Sequence, residues 1–191
     1  MIIPPARPYT ENSELSLPWH TYFIGQHMQH NYWLYAVIDR VMIANPQIRS
    51  VVELGTGAGA VSMVFGLWGI KKEMPVLTFD NVVRHDTKML EALKVRFCQL
   101  DIFSEEAAKE MQGCIGDTPT WLFCDGGFKG KELQTFSPNL PKGSIISAHD
   151  LGTEFKHDYH AAALCREGVI EPYHPEWWME NNIQLAMYKK L

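Results

Sequence analysis

The feature that most constrains the fold is the run Val-Val-Glu-Leu-Gly-Thr-Gly-Ala-Gly at residues 51–59. Two β-branched residues and an acid lead into Gly55, Gly57 and Gly59, and the apolar stretch 60–65 follows. This pattern predicts a buried strand that turns sharply into a helix. Glycine permits a positive φ and lets a ligand approach the backbone, and the first N–H groups of a helix are free to bind a ligand. We therefore expect a nucleotide-like ligand at this turn.

Two families of nucleotide-binding proteins use such a turn, and the segment fits both. Gly55, Gly57 and Ala60 match the dinucleotide fingerprint G-x-G-x-x-G/A. Glu53 and the three glycines match E-x-G-x-G-x-G, which resembles motif I of class I S-adenosylmethionine (SAM)-dependent methyltransferases. A carboxylate two residues before the first glycine is not needed to hold a pyrophosphate and would repel it, so Glu53 favours the second family. A glycine-rich turn without a ligand is the remaining alternative.

Composition narrows the classes of partner. The chain has 191 residues and a formal net charge of −5, so we expect one domain over residues 1–191 and no broad basic surface for nucleic acid. It has no apolar run of about 20 residues and no signal-peptide pattern at its start, so we expect no membrane association and a cytoplasmic location. The four cysteines lack C-x-x-C spacing, which is typical of reduced thiols.

The rest of the chain alternates strand-like and helix-like segments. Residues 1–24 are expected to form an irregular aromatic arm, and residues 25–44 a helix that ends at Asn45-Pro46. Strands are expected at 50–53, 75–79, 95–100, 120–124 and 144–148, helices at 59–68, 86–95, 104–112, 131–136 and 155–166, and a last, antiparallel strand at 182–190. This alternation predicts a doubly wound α/β domain, Rossmann-like, with a mostly parallel sheet and helices on both faces.

Acidic residues follow five successive predicted strands. They are Glu53, Asp80, Asp101, Asp125 and Asp150. In an open α/β sheet, ligands bind beyond the carboxyl ends of the strands, so we expect these side chains at one ligand-binding edge. Each could instead cap a helix, an alternative that is strongest for Asp101. Asp80 ends the second strand, where a carboxylate accepts hydrogen bonds from ribose hydroxyls.

From about residue 30 to its end, the chain resembles the small metal-dependent O-methyltransferases typified by catechol O-methyltransferase. It shares the sequence style of bacterial sugar O-methyltransferases and the cephalosporin hydroxylase family. The resemblance rests on segments 51–59, 76–80, 122–129 and 142–150 and on their order. It implies that the turn with Glu53, Gly55, Thr56, Gly57 and Gly59 seats the methionine end of SAM. It further implies that Asp80 binds the ribose, that Asp101 or the backbone near Ile102 binds the adenine, and that Asp125 contacts the cofactor.

The resemblance also implies a metal site. In these enzymes, the acid after the fourth strand and a pair after the fifth hold Mg²⁺ or a similar cation, which matches Asp125 and His149-Asp150. The first member of the pair is usually acidic, and an imidazole suits zinc, iron or nickel better than magnesium. Either the metal differs or His149 is a base without a metal. A histidine that only supports a neighbouring ligand or packs in the core is the other alternative. Lys129 lies near the position of the family's catalytic lysine, with one residue more in the spacing, and a solvated loop lysine is the alternative.

The resemblance predicts methyl transfer to an oxygen of a small-molecule acceptor. Two aromatic segments, around Trp19 to Phe23 and Tyr173 to Trp178, are candidates for the acceptor pocket, although they could instead pack on the core or on a second subunit. A nicotinamide-dependent oxidoreductase is an alternative, but no Tyr-x-x-x-Lys element follows the fourth strand. A SAM-binding protein without catalysis of its own is the other alternative.

Overall fold

The computed structural model describes residues 21–23, 26–28, 30–179 and 183–191. The strands are β1 (Thr21–Phe23), β2 (Gln26–Met28), β3 (Ser50–Leu54), β4 (Val76–Asp80), β5 (Val95–Gln99), β6 (Thr120–Cys124), β7 (Ile145–Ala148), β8 (Ile170–Pro172) and β9 (Ala186–Lys190). The α-helices are α1 (Trp33–Ala44), α2 (Ala60–Lys72), α3 (Thr87–Ala92), α4 (Glu105–Ile115), α5 (Lys129–Phe136), α6 (His157–His160) and α7 (Ala162–Arg166). Short 3-10 helices lie at Ser137–Asn139 and Pro175–Trp177.

Seven strands form one sheet in the order β5-β4-β3-β6-β7-β9-β8. Strands β3 to β7 are parallel, and β9 runs antiparallel to both β7 and β8. The helix α2 packs on β3, β4 and β5 under α1 and α3, while α4 packs on β3 and β4 and α5 on β6 and β7. The Rossmann-like fold predicted from the alternation is therefore confirmed, including the late antiparallel strand.

The chain reverses its direction of travel across the sheet between β3 and β6. From β3 it moves outward to β4 and β5, then returns to the other side of β3 as β6. Val51, Val52 and Leu54 have no exposed surface, because β3 lies at the centre of the sheet. Such a switch point leaves a crevice beyond the carboxyl ends of the two strands, where ligands bind in open α/β sheets.

Several predicted boundaries were wrong. The helix predicted from residue 25 begins at Trp33, because the side chain of Asn31 accepts the N–H of Trp33 at 3.0 Å and the preceding residues 26–28 pair with β1. The helix predicted for 155–166 is divided into α6 and α7 at Ala161, whose φ of −115° departs from the value near −63° of a regular α-helix. Strand β8 was not predicted, since three residues carry too little periodicity.

The aromatic arm was predicted for residues 1–24. Residues 1–20 and 24 lie outside the described part of the chain, and residues 21–23 form strand β1 rather than irregular structure. In the ranges that the structure describes, no helix combines the length and the apolar character needed to cross a bilayer.

Candidate active site

The glycine turn after β3 has the tight geometry that its sequence predicts. Gly55, Gly57 and Gly59 adopt φ values of 98°, 53° and 86°. A Cβ atom at Gly55 would lie 2.3 Å from the backbone oxygen of Asp125, because β3 and β6 are paired and their ends touch. Only glycine fits there. The N–H groups of Gly55 and Thr56 donate to the carbonyl of Phe79 at 2.9 and 3.0 Å, which fixes the turn against β4.

Glu53 stabilises this turn through a buried hydrogen-bond network. Its side chain is buried and accepts hydrogen bonds from the hydroxyls of Ser62 and Thr78, the latter at 2.6 Å. The Thr78 hydroxyl lies 2.7 Å from that of Thr56, so the network reaches into the glycine turn. Burial outweighs these hydrogen bonds and raises the pKa of Glu53 to about 8, with Asp125 and Asp80 adding to the rise. Glu53 is therefore protonated at neutral pH.

Asp80 and Asp101 lie along the same edge of the sheet. One carboxylate oxygen of Asp80 accepts the N–H of Gly57 at 2.9 Å, and the other accepts that of Val82 at 3.0 Å. Asp101 accepts the N–H of Phe103 at 3.0 Å and so closes a turn, whereas Ser104 caps the helix α4. Asp101 is thus not the helix cap, and both carboxylates retain lone pairs for a ligand.

The ends of β6 and β7 bring together a second group of charged side chains. Asp125 contacts His30 Nε2 at 2.9 Å and His149 Nδ1 at 3.4 Å. The two imidazoles face each other, with His30 Nδ1 3.2 Å from His149 Nε2. His149 Nδ1 also lies 3.0 Å from Asp150. The three groups of His30, Asp125 and His149 offer ligand atoms that all lie within 4.8 Å of one another.

Lys129 lies beside this cluster and is buried, so it is not a solvated loop lysine. Its ammonium group contacts Asp150 at 2.8 Å, Glu154 at 2.7 Å and Asp125 at 3.7 Å. Burial lowers the pKa of Lys129, but the three carboxylates outweigh burial and raise it well above its usual value. Lys129 therefore holds its proton firmly in this arrangement.

The pKa values of the residues around Lys129 are set by the same balance between burial and nearby charges. Burial lowers the pKa of His149, but contacts with Asp125 and Asp150 raise it to about 9. Burial raises the pKa of Asp150, but His149 and Lys129 lower it to about 2. For Asp125, the nearby imidazoles likewise overcome burial and hold the pKa below its usual range. Both carboxylates are therefore charged and His149 is protonated at neutral pH in this arrangement.

Glu132 shapes the loop between β6 and α5. Its fully buried carboxylate accepts the N–H groups of Gly126 and Phe128 at 3.2 and 3.0 Å. These two hydrogen bonds tie the loop to the first turn of α5, so Asp125 before the loop and Lys129 after it lie on the same side of the loop. Burial raises the pKa of Glu132 to about 7.

The glycine turn and the charged side chains described above line one cavity of about 880 Å³ at the carboxyl edge of the sheet. Its volume lies within the range of small-molecule sites. Seven carboxyl groups and three fixed cations line it: Glu53, Asp80, Asp101, Asp125, Glu132, Asp150 and Glu154 against Arg84, Lys129 and Lys131. Carboxylates remain in excess even when Glu53 and Glu132 are protonated, so the cavity favours a cationic ligand over a pyrophosphate.

Solved structures with a similar fold are known. A scan of family models finds no match, and a search of curated proteins finds no relative. A structure of CmcI with Mg and SAM is similar, with 14% identity, a TM-score of 0.68, and coverage of 90% of this chain and 76% of that chain. A methyltransferase from Geobacter sulfurreducens is similar with 16% identity, a TM-score of 0.56, and coverage of 83% and 76%. A ribosomal RNA methyltransferase from Plasmodium falciparum has 12% identity, a TM-score of 0.53, and coverage of 85% and 98%.

The chain has the class I SAM-dependent methyltransferase fold. The fold part of the family resemblance noted in the sequence is thereby confirmed. In this methyltransferase fold, the predicted site residues gather along the edge where strands β3 to β7 end. The predicted residues that line the cavity are Glu53, Gly55, Thr56, Gly57, Gly59, Asp80, Asp101, Ile102, Asp125, Lys129, His149 and Asp150. Their roles stay predictions.

Three residues of the site had no signal in the sequence. His30 precedes α1 and meets His149 across 119 residues of chain. Glu132 and Glu154 read as ordinary helix and loop acids, and only their contacts with the β6 loop and Lys129 reveal them. The metal prediction of Asp125, His149 and Asp150 also differs from the observed cluster, in which His30 takes the third place and Asp150 contacts Lys129.

The aromatic segments do not form the cavity wall in the described residues. The run from Tyr173 to Trp178 packs on α1 and β9: the Tyr173 hydroxyl accepts from Asn45 at 2.9 Å, and the Arg40 guanidinium lies 5.5 Å from the Trp177 ring. Trp19 and His20 lie outside the described residues. Phe128, which is 70% exposed, lines the cavity next to Lys129, and Phe79 and Phe103 line it as well.

Proposed function

We propose that this protein is a SAM-dependent methyltransferase that methylates an oxygen atom of a small molecule. The observation that carries the proposal is the acid-rich cavity at the switch point between β3 and β6, with a glycine turn at one end and the His30–Asp125–His149 cluster at the other. SAM carries a sulfonium and an ammonium, and these two positive charges suit such a cavity.

The cofactor would lie across the edge of the sheet. Its methionine end would rest on the turn formed by Gly55, Thr56, Gly57 and Gly59, above Glu53. The Asp80 carboxylate already accepts two backbone N–H groups, which hold it rigidly, and its other lone pairs would accept the ribose hydroxyls. Asp101 and Ile102 line the far side, where they would contact the adenine.

The acceptor would enter beside Lys129 and Phe128. Methyl transfer from a sulfonium is an in-line displacement, so the site must orient the acceptor and remove its hydroxyl proton. Lys129 and His149 both hold protons at neutral pH in the structure, and one of them must lose its proton before it can act as a base. When bound at Asp125 and His149, a divalent cation would lower the pKa of the acceptor hydroxyl. The convergent carboxylate and imidazole atoms fit a divalent cation.

A nicotinamide-dependent oxidoreductase is the alternative suggested by Gly55, Gly57 and Ala60. The sequence argument that a charged Glu53 would repel a pyrophosphate is weakened, because the raised pKa of Glu53 leaves it uncharged at neutral pH. Asp80, Asp125 and Asp150 still place negative charge along the cavity.

The small acceptor is favoured over RNA by the net charge of −5, which offers little attraction for phosphates.

Calorimetric titration with SAM, S-adenosylhomocysteine (SAH) and NAD tests the cofactor. We expect SAM and SAH to bind and NAD to bind at least about 100-fold more weakly, since a pyrophosphate meets carboxylates rather than free cations. Labelled methyl transfer from SAM to a panel of catechols and sugars, with and without divalent cations, tests the reaction. Tighter binding of NAD than of SAH would refute the cofactor assignment, and SAM binding without transfer to any acceptor would favour a binding protein without catalysis.

A further inference from the structure

We propose that His30, Asp125 and His149 bind a divalent transition-metal ion of the Co²⁺ or Zn²⁺ class in preference to Mg²⁺. The inference deepens the proposed function, because it names the cation that would lie beside the methyl acceptor. It differs from the metal set expected from the sequence, Asp125 with His149-Asp150, and from the Mg²⁺ that the family resemblance implies. Two of its three ligand groups are imidazoles, whereas the set expected from the sequence has two carboxylates and one imidazole.

The spacing of the three groups suits one ion. Each of the three residues offers one ligand atom, and these three atoms all lie within 4.8 Å of one another. Nitrogen and oxygen ligands lie about 2.0–2.2 Å from such ions, so two ligands of one ion are at most about 4.4 Å apart. Only small side-chain rotations are therefore needed to direct all three at a common centre.

An unpartnered nitrogen gives an independent sign of a ligand. Nδ1 of His149 is buried and has no hydrogen-bond partner among the described residues, although the residue is only 4% exposed. Asp150 and Asp125 lie 3.0 and 3.4 Å away, but neither contact has the direction of a hydrogen bond. A buried imidazole nitrogen close to carboxylates without hydrogen-bond geometry is the arrangement expected where these groups share an ion.

The charges around the cluster leave room for a dication. Asp125, Asp150 and Glu154 contribute three negative charges, and Lys129 contributes one positive charge. With neutral imidazoles the group carries a net charge of −2, which a divalent ion would neutralise. Lys129 does not block the site, because its ammonium is drawn to Asp150 and Glu154 at 2.8 and 2.7 Å and stays 3.7 Å from Asp125.

The donor chemistry selects the metal. Mg²⁺ prefers oxygen ligands and near-ideal octahedral geometry, and it is bound mostly by carboxylates and water. Imidazole suits zinc, iron, copper and nickel, and two imidazoles with one carboxylate form the three-ligand face found in non-haem iron sites. His30 and His149 supply two nitrogens against the one carboxylate of Asp125. The open side faces the cavity, so a substrate oxygen or water could complete the coordination.

The visible absorption of bound Co²⁺ tests the proposal on the intact protein. Titration of the wild type with Co²⁺ should give d–d bands that Zn²⁺ abolishes at one equivalent, whereas Mg²⁺ should need at least about 100-fold higher concentration. His30→Gln should weaken Co²⁺ binding by about 100-fold, since even an outer partner of a metal ligand is worth about 10- to 100-fold. His174→Gln is the matched control, because His174 is a surface imidazole 2.7 Å from Glu176 and outside the cluster.

Two further measurements do not depend on how the His30 variant folds. X-ray absorption of the zinc-loaded wild type should show two imidazoles in the coordination shell. His149→Asp should reduce the preference for Zn²⁺ over Mg²⁺ by at least about 10-fold, because it replaces nitrogen with oxygen. Fewer than two imidazoles, equal Mg²⁺ and Zn²⁺ affinities in the wild type, or loss of the Co²⁺ bands in His174→Gln would overturn the proposal. SAH titration of the same samples separates the two ideas: SAH binding with no metal preference refutes only the metal site, and metal binding without SAH binding refutes only the proposed cofactor.

Discussion

Replacing Glu53 by glutamine should stabilise the protein at alkaline pH. The carboxyl group is buried in β3 and its pKa is raised from 4.5 to about 8, chiefly by burial. Between these two values the unfolded chain releases the proton while the folded protein keeps it. Because the folded state then binds more protons than the unfolded state, the stabilising contribution is present below pH 4.5 and is lost as the pH rises towards 8.

The magnitude follows from the two pKa values. Each unit of difference corresponds to about 1.4 kcal/mol, so the full loss above pH 8 is about 5 kcal/mol. Between pH 5.5 and 8.5 the free energy of unfolding should fall by about 3 kcal/mol through Glu53 alone. Glutamine resembles the protonated acid in shape, and its carbonyl can accept from Ser62 and Thr78 as the carboxyl does. Glu53→Gln should therefore lack this loss.

Urea unfolding of both proteins at several pH values measures the effect. His149, Glu132 and Asp150 also titrate, but their contributions cancel in the difference between wild type and variant if the site is unchanged. The difference should move by about 3 kcal/mol in favour of Glu53→Gln between pH 5.5 and 8.5. Glu91→Gln, which changes an exposed glutamate of α3, is the control and should show no such trend. Parallel pH curves for the wild type and Glu53→Gln would refute the assignment of a buried, protonated acid.

Other predictions concern the turn and the charged cluster. Gly57→Val should abolish SAH binding while the protein still unfolds cooperatively, because the added branches fill the cofactor's approach. The control is Gly113→Val, at an exposed helix glycine with nothing within 4 Å of an added Cβ, and it should bind SAH normally. Equal SAH affinities of the two variants would contradict the site. Asp125→Asn should lower the free energy of unfolding by about 3 kcal/mol at pH 7, since it removes the charge of the carboxylate that the buried imidazoles of His30 and His149 both contact, and should remove any response of turnover to metal. Without added metal, kcat/KM should rise with pH towards about 9, as His149 loses the proton that its carboxylate neighbours stabilise, and a profile flat from pH 7 to 9 would exclude His149 as the base.

The sequence alone determined the sheet and the place of its binding edge. Alternating strands and helices require parallel strands, and the carboxyl ends of parallel strands meet at one edge. The acids at the ends of β3 to β7 must therefore converge on that edge. The glycine turn was equally predictable, because Gly55 must pass within contact distance of the β6 end and no side chain fits there. These features depend on local patterns, which a sequence displays directly.

Only the tertiary structure decided how the acids behave. Glu53 reads as an ordinary strand-end carboxylate, but its burial against Ser62 and Thr78 makes it a neutral acid at pH 7. His30 joins Asp125 and His149 from a segment 95 or more residues earlier, and Lys129 acquires its carboxylate partners from another loop. Charge state and metal preference depend on desolvation and on distances between remote segments, and neither quantity is encoded in local sequence spacing.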